Sequence, residues 1–445
     1  MIDPDGLPVP QRYWAIATIA LGITMAVMDS AIANVALPTI ARDLNTDAAF
    51  SIWIVNGYQL AITISLLPLS SFGDIAGYRR VYQAGIALFT VASLACAFSH
   101  TLMELTAARV LQGFGAAGIM SVNTALVRFI YPHRWLGRGI GINAMVVAVS
   151  AAVGPTVASG ILSVADWPWL FAVNVPIGIV AFVIGLRALP YTPPAPHAFD
   201  VSSAILSALS FGMLIASIDA LGHGESIGLF AAEIVITVLV GYLLVRRQLF
   251  SPAPLLPIDL LKIPVFSLSI GTSICSFIAQ MLAMVSLPFL LQLKMHFTAV
   301  ETGLLITPWP IAIGIAAPIA GRLADRYPAG LLGGIGLAVF AAGLLALGLM
   351  PADPGVWDIV WRMALAGVGF GLFQSPNNRA MISAAPRERS GGASGMLGTA
   401  RLLGQTIGAS LLALLFARAP DNAMTLALYV SAAFAVVAAI VSVTR

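Results

Sequence analysis

Long apolar stretches, each followed by a short polar or charged break, repeat along almost the whole chain. About 20 consecutive apolar residues are enough to cross a bilayer as a helix. Fourteen stretches reach that length: 14–37, 50–71, 81–99, 103–126, 139–163, 171–190, 200–221, 228–248, 265–291, 301–321, 330–350, 357–380, 391–416 and 424–443. The pattern predicts an all-α membrane protein of fourteen transmembrane helices in a lipid bilayer.

Fourteen is even, so both ends are expected on one side, and the basic residues indicate which. With the N-terminus inside, sixteen Lys and Arg residues fall in inner loops and tails and three (Arg42, Lys294 and Arg418) in outer loops. Arg109, Arg362 and Arg401 lie within or at the edge of apolar stretches and complete the total of 22. This asymmetry predicts cytoplasmic termini and a multi-pass protein of the cytoplasmic (inner) membrane. The N-terminal "MIDPDGLPVPQRYW" has neither a basic n-region nor a small-residue cleavage site, so the mature chain is expected to start at Met1.

Two Pro-rich connectors, "PYTPPAPHAFD" (190–200) and "FSPAPLLPIDLLKIP" (250–264), bracket the seventh and eighth stretches. Such segments are stiff linkers. They divide the chain into a six-helix half (1–192), an inserted pair (193–262) and a second six-helix half (263–445). An internal repeat fits this division. "SSFGDIAGYRR", with Asp74, Arg79 and Arg80, follows the second stretch, and "GRLADRYPAG", with Asp325 and Arg326, follows the tenth. If the middle pair is an insertion, the two acid-plus-Arg loops hold equivalent places in two pseudo-symmetric halves. Repeated halves with a midplane site are a transporter architecture.

Composition narrows the class further. Hydrophobic residues make up 59% of the 445 and charged residues only 9%, with mean hydropathy +0.95. A soluble surface needs far more charge. The net charge of +3 is scattered singly, which gives no nucleic-acid footprint. Cys96 and Cys275 both fall in apolar stretches and supply neither a disulfide framework nor metal spacing. The five histidines sit at stretch ends or loops, and the chain has no HExxH and no phosphate-binding loop. No enzyme chemistry, metal or cofactor is therefore expected.

The stretch "ITMAVMDSAIANVALP" (Ile23–Pro38) places Asp29 and Asn34 inside the first helix. A carboxylate at a helix centre costs about 2.5–3.5 kcal/mol on insertion scales. Counted from Leu37, Asp29 lies about 12 Å deep at 1.5 Å per residue. Arg109, six residues into the antiparallel fourth helix, lies about 9 Å deep by the same rise. Gln112 follows three residues on, near the same face. Asp29 and Arg109 are thus expected within reach of each other, directly or through Gln112. Either Asp29 carries protons, neutral when protonated and paired with Arg109 or a cation when ionised, or the pair only fastens two helices.

The tenth and thirteenth stretches, "TPWPIAIGIAAP" and the one bearing Arg401 and Gln405, have no interior acid, and Glu233 and Asp219 belong to the inserted pair. One interior carboxylate would neutralise one positive charge. Asn34, Tyr58, Gln59, Gln112, Asn123, Trp309, Phe373, Gln374 and Arg401 are candidates to line a substrate cavity. Aromatic faces hold cations with about 0.5–2 kcal/mol each, and the alternative for each such residue is simple packing.

The chain resembles the major facilitator superfamily, and within it the fourteen-span drug:proton antiporters. "MDSAIANVALP", "WIVNGYQL" (Trp53–Leu60), "ARVLQGFGAA" (Ala108–Ala117), "VGPTVASG" (Val153–Gly160) and "WLFAVNVPIG" (Trp169–Gly178) are similar to family motifs, in order and on the matching helices. The first loop differs at Ser70 and Ile75, and the fifth-helix motif at Ser159. The resemblance implies proton-coupled efflux of lipophilic, cationic compounds by alternating access. It makes small molecules and protons the partners and the protein a monomer. Monovalent cations would be preferred to divalent ones. It also implies gating by Gly154 and Pro155. Asp74 would gate by pairing with Arg79, Arg80, Arg134 and Arg138 across the cytoplasmic face, with Asp325 and Arg326 in the equivalent loop. A plain topology signal is the other reading of those arginines. A dedicated exporter of one endogenous metabolite or antibiotic is the alternative function.

Overall fold

A computed structural model describes residues 6–132, 135–192, 199–222, 227–250, 256, 258–351, 353–386 and 390–445. Arg134, Arg387 and Arg389 of the inner-arginine count lie outside these residues. Every regular element among them is helical. In hydrocarbon each backbone N–H and C=O must be satisfied within its own segment, which leaves the helix as the only open-ended solution.

In chain order the helices are α1 (Gln11–Asp43), α2 (Ala48–Ser51), α3 (Trp53–Ala76), α4 (Tyr78–Ala97), α5 (Leu102–Ile130) and α6 (Leu136–Leu162). Next come α7 (Pro168–Ala172), α8 (Asn174–Ala188), α9 (Val201–Gly222) and α10 (Ile227–Phe250). The last are α11 (Pro264–Phe289), α12 (Ala299–Ile306), α13 (Pro308–Leu323), α14 (Ala329–Gly348), α15 (Val356–Ala384), α16 (Ser390–Arg418) and α17 (Ala423–Val443). Thirteen spans among the described residues are long and apolar enough to cross a membrane. They coincide with thirteen of the expected stretches, and the 24-residue α10 occupies the other.

Three spans have their hydrogen-bond ladder interrupted at one residue that keeps helical dihedrals. α2 and α3 meet at Ile52, α7 and α8 at Val173, and α12 and α13 at Thr307. Pro308 and Pro310 explain the last interruption, since neither has an N–H to continue the i→i−4 ladder, while Thr307 itself keeps helical dihedrals (φ −53°, ψ −35°). Other ends have local causes. Gly77 takes φ 90° between α3 and α4, a conformation that suits only glycine at low cost. Thr298 and Glu301 form a reciprocal capping box at the start of α12.

α1, α3, α4, α5, α6 and α8 pack among themselves, as do α11, α13, α14, α15, α16 and α17. α9 and α10 pair with each other, and α9 leans on α3 and α16. Small residues allow the tightest approaches, as is usual where lipid supplies no hydrophobic drive. A Cβ on Gly115 of α5 would stand 2.5 Å from the Phe89 nitrogen of α4, and one on Gly336 of α14 would stand 2.7 Å from the Phe373 nitrogen of α15. Both chain ends lie at the same end of the bundle. Leu7 bonds to the last turn of α5, and Arg445 reaches the first turns of α11.

Candidate functional site

The middle of α1 carries Asp29, whose side chain is 1% exposed. Arg109 of α5 donates through Nη1 to Asp29 Oδ2 in an ion pair. Gln112 Nε2, one helical turn on, donates to Asp29 Oδ1 at 2.9 Å, and Asn174 Nδ2 of α8 donates to the same oxygen at 2.9 Å. Three donors on two further helices therefore hold one carboxylate. Arg109 is equally engaged. Its Nη1 also donates to Gln112 Oε1 at 2.5 Å, and its Nε donates to the Ile54 carbonyl of α3 at 3.1 Å. The guanidinium lies 4.1 Å from the Tyr58 ring centroid and 5.5 Å from that of Phe171. Gln112 reaches Ser93 of α4 at 2.9 Å, and the Tyr58 hydroxyl donates to the Ala26 carbonyl at 2.9 Å.

A buried pair survives only if its remaining lone pairs and protons are satisfied. This one meets that condition by tying α1, α3, α4, α5 and α8 together. Protonation of Asp29 would remove the one negative charge of the centre and free Arg109 from its strongest partner.

The expected proximity of Asp29, Arg109 and Gln112 is thus present, and Asn174 joins them. Sequence reasoning passed over Asn174, although an amide inside the apolar stretch after Trp169 was a readable signal. Gln59 donates to Ser30 at 3.3 Å beside the centre. Asn34 is 6% exposed, with its Oδ1 buried and unpartnered. Asn123 donates to Asn143 of α6 at 3.0 Å, away from Asp29.

Two expected cavity residues are placed elsewhere. Trp309 and Phe373 are each 1% exposed inside an aromatic core. Trp309 meets Phe340 at 5.7 Å, Phe340 meets Phe370 at 5.4 Å, and Phe370 meets Phe373 at 6.0 Å between ring centroids. Their large apolar faces are satisfied by packing, which corrects the expectation that they face a cavity. Gln374, Gln405 and Arg401 are only partly buried, and none makes a side-chain hydrogen bond among the described residues. Glu233 lies on α10, away from the seam between the two helix groups.

That seam is closed at the end remote from the termini. Gln292 Nε2 donates to the Val35 carbonyl at 2.9 Å, and Thr39 donates to Gln292 Oε1 at 3.2 Å. Asn56 donates to Ser410 at 3.1 Å, the Thr156 and Thr307 hydroxyls share a bond of 2.9 Å, and those of Thr63 and Thr406 one of 3.1 Å. Gly154 and Pro155 sit at this junction. A Cβ on Gly154 would stand 2.6 Å from Ala31 Cβ of α1, and one on Gly303 of α12 would stand 2.6 Å from the Pro155 carbonyl oxygen.

The terminus-bearing end is built differently from the expectation. Asp74 accepts a 2.5 Å hydrogen bond from Tyr78, because the turn at Gly77 folds the start of α4 back over it. Arg79 donates to the Leu186 carbonyl instead, while Arg80 and Arg138 are exposed. Asp74 is therefore not brought to Arg79, Arg80 or Arg138. Asp325 pairs with Arg379 of α15, and Arg326 is exposed.

Residues 19–409 match the family model of the Major Facilitator Superfamily. An uncharacterized transporter of Escherichia coli, YebQ, is 58% identical, with the alignment covering 100% of this chain and 98% of that one. The multidrug efflux pump LfrA of Mycolicibacterium smegmatis is 30% identical over 93% of this chain and 82% of its own length. Among solved structures, a bacterial homologue of the human lysosomal transporter Spinster, in an inward-facing and unoccupied conformation, superposes with TM-score 0.70. It is 14% identical and covers 98% of this chain and 97% of that one.

Proposed function

The chain belongs to the Major Facilitator Superfamily, and from that premise we propose that it exports a lipophilic small molecule in exchange for protons by alternating access. The family consists of membrane transporters rather than enzymes. The proposal places the protein in the cytoplasmic membrane with both termini inside, as a monomer. Two six-helix halves, 1–192 and 263–445, would move about the substrate, with 193–262 as an inserted pair.

One observation carries the coupling role. Asp29 is the charged group on which donors from α5 and α8 converge. Its protonation state therefore decides how α1 is fastened to the rest of its half. A proton and an alternating-access step are linked if the sealed, ionised centre and the opened, protonated centre belong to different conformations. The efflux relative and the closure of the seam at the end remote from the termini support export.

Purified protein in liposomes provides the test. A transmembrane pH gradient should drive uptake of a fluorescent lipophilic dye by wild type, and Asp29→Asn should abolish that uphill movement. The same variant should still exchange labelled for unlabelled dye without a gradient. Gradient-driven transport by Asp29→Asn at the wild-type rate would sink the proton role.

A further inference from the structure

Among the described residues, three charged side chains stand in the middle of the two helix groups: Asp29, Arg109 and Arg401. Asp29 and Arg109 cancel each other within one hydrogen-bonded centre. Arg401 has no such partner. It makes no hydrogen bond or ion pair among the described residues, and its Nε is buried without an acceptor. It stands in the middle of α16, the twelfth residue of the helix. It is partly open and lies five residues on the terminus side of Thr406, whose hydroxyl meets Thr63 across the seam. The adjacent Leu402 packs with Tyr58 and Ile62 of α3, and Arg401 is within electrostatic reach of Tyr58. Tyr58 in turn lies against the Arg109 guanidinium.

The charge count then changes sign. The expectation of a cationic substrate came from the family resemblance, together with a count of one interior acid. The structure consumes that acid in the Arg109 pair, so the charge left facing the seam is positive. A guanidinium in low dielectric without an acceptor is a costly arrangement, and a bound anion would relieve it by charge-assisted hydrogen bonds. Gln405, one turn further along the same face of α16, is partly open with a free amide that could complete the contact.

We propose that Arg401 is the substrate anchor, and that the exported compound carries an acidic group, such as a carboxylate or acidic phenol, on a lipophilic body. The charge balance favours export. One proton moving in against one monoanion moving out carries two positive charges inward, so an inside-negative potential drives both movements. A monovalent cation leaving against one proton would move no net charge. The direction of transport rests on the export reading above, whereas the assignment of Arg401 does not.

Binding to detergent-solubilised full-length protein tests the anchor without transport. Radiolabelled naphthalene-2-carboxylate, naphthalene-2-carboxamide and 2-naphthyltrimethylammonium share one ring and differ in charge. Wild type should bind the carboxylate most tightly, and Arg401→Gln should weaken it roughly 10–100-fold, the worth of a charge-assisted hydrogen bond. Arg401→Lys should keep most of the binding, and neither variant should change carboxamide binding by more than about 3-fold, about 0.65 kcal/mol. No carboxylate binding by wild type, tighter binding of the ammonium probe, or equal carboxylate binding by Arg401→Gln overturns the inference. In liposomes, an imposed inside-negative potential should speed carboxylate export more than carboxamide export. Carboxylate binding that depends on Arg401, with no proton-driven movement of any probe, would uphold the anchor and refute the export reading.

Discussion

Removing either charge of the Asp29–Arg109 centre should destabilise the protein far more than removing both. In Asp29→Asn, Arg109 stays buried with only the Ile54 carbonyl and Gln112 Oε1 as acceptors. The new amide also turns an N–H₂ toward donors that previously met carboxylate oxygens, from Arg109, Gln112 or Asn174. An uncompensated buried charge of this kind costs about 3–5 kcal/mol. Arg109→Gln should cost about as much for the mirror reason, leaving Asp29 with two neutral amide donors. The double variant Asp29→Asn/Arg109→Gln has no charge to strand, so it should recover at least about 2 kcal/mol relative to the sum of the singles. Reversible unfolding by SDS titration in mixed micelles measures all four proteins. The double variant should be stable yet unable to couple transport to protons. Strict additivity, or an Asp29→Asn protein within about 1 kcal/mol of wild type, would refute the description of the centre as a mutually satisfied pair.

Two other outcomes follow from the packing. Thr156→Cys with Thr307→Cys, in a background lacking Cys96 and Cys275, should form a disulfide on oxidation because the native hydroxyls lie 2.9 Å apart. That bond should stop transport until it is reduced, and cross-linking without loss of transport would show that α6 and α12 need not separate. At the start of α9, burial pushes the Asp200 carboxyl up, but hydrogen bonds from Arg247 and Ser203 outweigh it and hold the group at about 2. The depressed value makes its stabilisation complete above the usual carboxylate range and lost as pH falls from about 4 toward about 2. Asp200→Ala should cost about 0.5–2 kcal/mol at neutral pH, as loss of an N-cap does, and should show a smaller further loss on acidification in the same SDS titration.

The all-helical build, and the place and order of thirteen apolar spans among the described residues, were legible in the chain because hydrocarbon admits one backbone solution for each apolar stretch. The closeness of Asp29, Arg109 and Gln112 was legible too, since rise per residue and opposed helix directions set their depths. Rotation about each helix axis was not, because it depends on which neighbours a face meets. Trp309 and Phe373 thus turned into an aromatic core, and Asn174 turned toward Asp29. Asp74 met Tyr78 in place of an arginine because a single positive-φ glycine sets the angle between α3 and α4. Charge pairing was the deepest of these tertiary decisions. Sequence supplies one acid and two arginines and matches Asp29 to Arg109 by depth, but only packing shows that Arg109, Gln112 and Asn174 take up the whole carboxylate while Arg401 makes no ion pair among the described residues.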